Sequence, residues 1–140
     1  MTEAEALVRE AYAQWERGDF SSREWASDDF ELILADGPSP GRFRGADVGR
    51  AWGEMIGMWE DFRALPEEVR DLGDGRVLVF TNNTGRSKGS GLELGDMHTR
   101  GANVIHVRDG KLTKLVAYFN RDQALVDVGL AHGSASPPPP

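Results

Sequence analysis

The sequence predicts an α+β fold, a curved antiparallel sheet with helices packed on its concave face, and three observations predict it. Apolar residues recur at helical spacing in two long segments of the first half, Glu3–Arg17 and Ala46–Phe62. After Pro66 the apolar period drops to two, the spacing of half-buried strands. Asp109-Gly110 then stands between two such runs as a two-residue hairpin turn.

Each element has its own signal. Leu7, Val8, Ala11, Tyr12 and Trp15 form one face of a helix over Glu3–Arg17. Thr2 and Glu5 make a capping-box pair at its start, and Gly18 stops it. Ser21 or Ser22 caps a short second helix through Trp25, and Phe30–Ala35 reads as a strand with Phe30, Leu32 and Leu34 on one face. Asp36–Gly41 is a loop by its Gly and Pro content. A third helix from about Ala46 to Phe62 puts Val48, Trp52, Met55, Ile56 and Trp59 on one side. Val69–Leu72, Arg76–Thr84, Leu92–Val107 and Leu112–Phe119 follow as strands, joined by turns at Gly73–Gly75, Gly85–Gly91 and Asp109-Gly110. A last helix, Arg121–Val128, is closed by Gly129. Residues 1–130 form one domain, and residues 131–140, ending in four prolines, are expected to be a disordered tail.

Composition excludes several functions. With 23 acids against 16 bases the net charge is −7, and no Lys/Arg cluster offers a nucleic-acid footprint. The absence of cysteine removes disulfides, thiolate metal sites and Cys nucleophiles. His98, His106 and His132 are too far apart in sequence to suggest a metal centre, and no cofactor is expected. No apolar run approaches the roughly 18 residues of a spanning helix, and the acidic start is unlike a signal peptide. The expectation is a cytoplasmic protein that binds neither nucleic acid nor membrane.

Five short motifs occur in order: Trp15-Glu-Arg-Gly-Asp19, Ser27-Asp-Asp-Phe30, Phe43-Arg-Gly-Ala46, Val107–Leu112 and Tyr118–Asp122. On them the chain, from about Glu3 to Leu130, resembles the SnoaL-like branch of the nuclear transport factor 2-like (NTF2-like) superfamily. The resemblance implies a cone-shaped sheet with three N-terminal helices on its concave face and a pocket between the long helix and the sheet. It often implies dimerisation through the opposite face. It does not imply one activity, since that scaffold hosts isomerases, epoxide hydrolases, polyketide cyclases and binding proteins.

Carried over residue by residue, the catalytic positions of those relatives are neutral here. The isomerase base falls on Leu34. The oxyanion pair falls on Ala11, one residue from Tyr12, and on Asn103. The epoxide-hydrolase positions fall on Thr81, Asn83 and Ala117, and the cyclase positions on Asn103 and Ala117. Asn103 either orients a ligand carbonyl or hydroxyl or satisfies backbone groups at an irregularity of its strand; both readings stay open. His98, near Asp96, becomes a general base only if a bulge at Gly101 turns it inward. Tyr12 is the other outside catalytic candidate. His106 belongs to the outer face and His132 to the tail. Arg42 and Arg44 read as solvated surface or as an anion contact, and Gly85–Gly91 precedes a strand and so is no phosphate cradle.

The expected function is small-molecule binding in an apolar, aromatic-lined pocket. Its expected lining is Trp15, Phe30, Leu34, Trp52, Ile56, Trp59, Thr81, Asn83, Asn103, Ile105, Ala117 and Phe119. Two alternatives remain: a cyclase, isomerase or epoxide-hydrolase type of enzyme using His98 or Tyr12, and a dimeric interaction module with a filled core. The expected partners are a hydrophobic small molecule and a second copy. That copy docks on an outer sheet face carrying Ala102, Val104, Val116 and Tyr118, left bare if helices cover only the other face.

Overall fold

A computed structural model describes residues 2–19, 24–36, 40–57, 59–87 and 96–130, the side chains at 55, 56, 59–61, 86, 87 and 96–99 excepted. The element order is α1 (Glu3–Glu16), β1 (Ala26–Leu34), β2 (Gly41–Arg44), α2 (Ala46–Gly57), β3 (Trp59–Gly73), β4 (Arg76–Ser87), β5 (Asp96–Arg108), β6 (Lys111–Tyr118) and α3 (Arg121–Asp127). The six strands form one curved sheet in the order β2-β1-β6-β5-β4-β3. Every pairing is antiparallel but one: β1 runs parallel to β6, so the sheet is mixed.

The signals at the element ends act as the sequence suggests. The Thr2 hydroxyl accepts the Glu5 amide at 3.1 Å and caps α1. Asp109 and Gly110 both have positive φ, 54° and 77°, as the tight turn between β5 and β6 requires. The pairing of β4 with β5 runs without a shift from Arg76↔His106 to Arg86↔Asp96. Gly101 therefore hosts no bulge. What it provides is close approach, since a Cβ there would lie 2.4 Å from the Tyr118 carbonyl oxygen.

Three expectations about the elements are corrected. The helix expected to run to Phe62 ends at Gly57, and Trp59 opens a fifteen-residue strand. The apolar spacing of Trp52, Ile56 and Trp59 continues a helical pattern, but residues from Trp59 onward pair with β4 (Trp59↔Ser87, Ala64↔Asn83), and that long-range ladder outweighs local periodicity. Pro66 is tolerated because β3 is an edge strand whose register shifts beside it. Gly41, expected as the end of a loop, opens the short strand Gly41–Arg44, which pairs with β1 (Leu34↔Gly41, Leu32↔Phe43). Of the short second helix, residues 21–23 lie outside the described residues, and Glu24–Trp25 form a turn. The proline-rich segment, residues 131–140, also lies outside them.

Two apolar clusters flank the sheet. The larger, on the concave face, joins Val8, Ala11, Tyr12 and Trp15 of α1 and Val48 and Trp52 of α2 to Phe30, Leu32, Val77, Val79, Ile105, Leu112 and Leu115 of the strands. The smaller, on the convex face, consists of Leu78, Ala102, Val104 and Tyr118 under Ala124 of α3, with Leu125, Val128 and Leu130 packed against it. The premise of a bare outer face fails, because α3 crosses it: Ala102, Val104 and Tyr118 are buried within the single chain.

Candidate functional site

The site is built where α1 crosses β5. Strand alternation puts Gly101, Asn103 and Ile105 on the concave face, and helical spacing brings Tyr12 and Trp15 down onto it. The Asn103 side-chain amide donates to the Tyr12 phenolic oxygen at 2.5 Å. Tyr12 is fully buried, and burial raises the pKa of its phenol, only partly offset by the Asn103 hydrogen bond. Tyr12 therefore stays protonated at neutral pH. Because Asn103 fills an acceptor site of that oxygen, the phenolic hydrogen is free to donate, and no acceptor for it lies among the described residues. Of Ala11, where counting back from Gly18 puts the relatives' tyrosine, and its neighbour Tyr12, it is Tyr12 whose side chain meets Asn103, while Ala11 packs in the same core.

Around this pair the aromatic rings pack on one another. Trp15 meets Tyr12 with ring centroids 4.8 Å apart, Trp25 at 5.3 Å and Trp52 at 5.5 Å. Trp25 stands 5.2 Å from Phe30 and 6.1 Å from Trp52. The indole N–H groups of Trp15 and Trp25 are buried and have no hydrogen-bond partner among the described residues. A buried donor left unpaired costs about 1–3 kcal/mol, which a ligand oxygen can recover.

The strands complete the surroundings. Asn103 sits in register between Val79 of β4 and Ala117 of β6, and Ala117 lies beside Leu34 of β1. Thr81 is buried and Asn83 half-buried along the same face of β4. The concave-face residues Phe30, Leu32, Leu34, Val77, Val79, Thr81, Asn83, Asn103, Ile105, Leu115 and Ala117 carry no ionisable side chain.

Not every expected residue arrives. Phe119 is a correction: β6 ends at Tyr118, and the Phe119 ring is 52% exposed beyond it. Asp36 accepts the amides of Phe119 and Asn120 and turns the chain there into α3. Ile56 lies in α2 and Trp59 in β3, but their side chains fall outside the described residues, as does that of His98, whose backbone pairs with Thr84. Arg42 and Arg44 converge on Glu31 at 3.2 and 2.9 Å, and the hydrogen bond from Arg44 lowers that carboxyl's pKa. Trp25 was not anticipated as a site residue. Only the turn at Glu24–Trp25 and the early start of β1 bring it over Phe30, and no local periodicity signals that. Among the described residues no group of three metal-binding side chains occurs.

Comparison of this architecture with solved structures gives its fold. An NTF2-like protein of unknown function from Burkholderia pseudomallei superposes with a TM-score of 0.69 at 18% identity, over 90% of this chain and 97% of that one. The fold is NTF2-like. TerC, crystallised with polyporic acid, matches with a TM-score of 0.69 at 19% identity over 91% of this chain and 99% of its own. A Catenulispora acidiphila protein with a ketosteroid isomerase-like fold, in complex with trimethylamine, matches at 0.64 and 14% identity over 94% and 97%. No family model matches the sequence, and no curated protein does. At these identities the likeness establishes the NTF2-like fold and leaves the activity to the residues of the site. Among the described residues no helix is long and apolar enough to cross a membrane.

Proposed function

We propose that this NTF2-like chain binds a flat, largely apolar small molecule in the concave face of its sheet and orients it through a carbonyl or similar oxygen. The carrying observation is the cluster of buried donors without acceptors: the Tyr12 hydroxyl, polarised by Asn103, and the indole N–H groups of Trp15 and Trp25. The two indoles can only give a hydrogen bond and the Tyr12 hydroxyl has its hydrogen left to give, so the complementary ligand atom is an acceptor. The apolar rings supply the larger share of affinity by burial, and the donors fix orientation. Among relatives of the fold, TerC has been crystallised with polyporic acid, which supports small-molecule binding as a use of this scaffold.

The catalytic alternative has less support. Tyr12 is held protonated and so is no base near neutral pH, and the bulge that would redirect His98 is missing from the ladder. The position that carries a carboxylate base in isomerases of this fold is Leu34. A second reading, a filled interior, is favoured by the edge-to-face ring contacts themselves.

Calorimetry with fluorenone and fluorene, equal in shape and differing by one carbonyl, separates these readings. The ligand reading expects fluorenone to bind about 3- to 10-fold more tightly than fluorene, the value of one net hydrogen bond, and the advantage to shrink in Tyr12→Phe. No heat with either compound would favour the filled interior.

A further inference from the structure

Charge is unbalanced on the sheet where β2, β1 and β6 lie side by side. Strand alternation puts Arg42 and Arg44 on one side of β2, and register sets Arg44 opposite Glu31 and Arg42 opposite Ile33. Both guanidinium groups turn their Nε toward one oxygen, Glu31 Oε2, at 3.2 and 2.9 Å. Glu31 is buried there, whereas the two arginine side chains are 58% and 70% exposed. Their terminal NH2 groups make no hydrogen bond among the described residues. Lys114 adds a third cation. It lies in register beside Glu31, half-buried, and its charge acts on the Glu31 carboxyl without a hydrogen bond or close ion pair of its own among the described residues.

Three cations around one carboxylate leave a local charge of +2 in a chain whose net charge is −7. The next positions along the row extend that field, since His106 of β5 pairs with Lys114 and Arg76 of β4 pairs with His106. Burial first, then Lys114 and Arg76, hold the His106 pKa below its ordinary value, and Asp74 opposes them only in part.

We propose that Arg42, Arg44 and Lys114 form a binding site for a dianionic phosphate group, free or at the end of a small molecule. Two negative charges neutralise the local excess. The donors set the geometry: two planar forks with unpaired NH2 ends match phosphate oxygens, and the ammonium supplies a point charge. Glu31 holds each fork by its Nε and leaves the outer ends to the ligand, so the guanidinium groups are positioned before anything binds. Arg42 and Arg44 start about 7 Å apart along β2, a span that two arginine side chains close around one tetrahedral ion. The site stands on the face of the sheet opposite Asn103 and does not depend on the ligand proposed there.

Titration of the full chain with methyl phosphate, followed in nitrogen–proton correlation spectra, tests this. Methyl phosphate should bind with a Kd of about 1 mM or tighter and move the amides of Glu31, Arg42, Arg44 and Lys114. Dimethyl phosphate, with one charge fewer, should bind at least about tenfold more weakly. Inorganic phosphate separates the two sources: binding within about threefold of methyl phosphate supports the free ion, and a tighter methyl ester supports a phosphomonoester. Lys114→Gln, which breaks no hydrogen bond of the fold, and Arg42→Gln should each weaken binding about fivefold or more. Arg9→Gln, an equal loss of charge on α1, should leave it within about twofold. No shift at about 20 mM methyl phosphate would overturn the proposal. So would equal binding of dimethyl phosphate, a loss in Arg9→Gln as large as in Lys114→Gln, or shifts that gather at Tyr12 and Trp15 instead.

Discussion

Asn103 and Tyr12 lie 91 residues apart in sequence and meet at 2.5 Å, the amide of the strand residue donating to the phenol of the helix residue. This contact ties α1 to the middle of β5 and leaves the phenolic hydrogen without an acceptor among the described residues. It is both a packing tie and the polar anchor of the proposed site, and the two roles respond differently to substitution.

Asn103→Leu removes the donor and leaves the buried Tyr12 oxygen unsatisfied, so the protein should lose about 1–3 kcal/mol in urea unfolding. Tyr12→Phe should cost a similar amount, and the double variant should cost less than the sum, since both unpaired groups are then gone. Additive losses would mean that the two side chains do not interact.

Trp52→Ala should weaken binding of a flat aromatic probe by about 3 kcal/mol and reduce stability as well, because the indole is part of the core. Asn103→Leu should weaken the same probe by only about 0.5–1.5 kcal/mol. Calorimetry and thermal unfolding of each variant measure both effects.

Gly101→Ala should destabilise by about 1–3 kcal/mol or more, because the new methyl group meets the Tyr118 carbonyl at 2.4 Å and neither backbone can retreat without breaking a ladder. An unchanged melting curve would show that the β5–β6 junction is looser than its geometry implies.

Much of the fold was legible because local and long-range preferences agree. The α1 cap at Thr2, the Asp109-Gly110 turn and the alternation Val77-Val79 and Asn103-Ile105 each mean the same thing locally and in the sheet. The misreadings fall where they disagree. Trp59 continues a helical stripe yet is claimed by pairing with β4, and Gly41 closes a Gly- and Pro-rich segment yet is claimed by pairing with Leu34. In the candidate site, Asn103 and Trp15 were readable from face and period. Tyr12 was legible only as a neighbour of Ala11, because counting from Gly18 fixes a number and not a rotation. Trp25 was unreadable, since only the turn before β1 places it.

Acid should destabilise the protein in two stages. His106 has its pKa lowered by burial first, then by Lys114 and Arg76, so the unfolded chain takes up its proton more readily than the folded one. Its contribution is complete above about pH 6.5, the unfolded value, and is lost as pH falls through its lower folded value. Glu31, lowered chiefly by the Arg44 hydrogen bond, contributes above its ordinary carboxyl range and is lost only as pH falls below it. His106→Gln should flatten the upper stage and Arg44→Gln the lower one in stability measured against pH. Probe binding should instead stay constant between about pH 5.5 and 8.5, because Tyr12, its pKa raised by burial, and Asn103 do not titrate there.

The account rests on donors in the concave face that await an acceptor, and the indole N–H resonances report them directly. The chain has four tryptophans and therefore four such signals in a nitrogen–proton correlation spectrum. Titration with fluorenone should move the Trp15 and Trp25 signals downfield, assigned by Trp15→Phe and Trp25→Phe, while fluorene should leave them without that shift. Signals of Trp15 and Trp25 that stay fixed at saturating fluorenone would contradict the account.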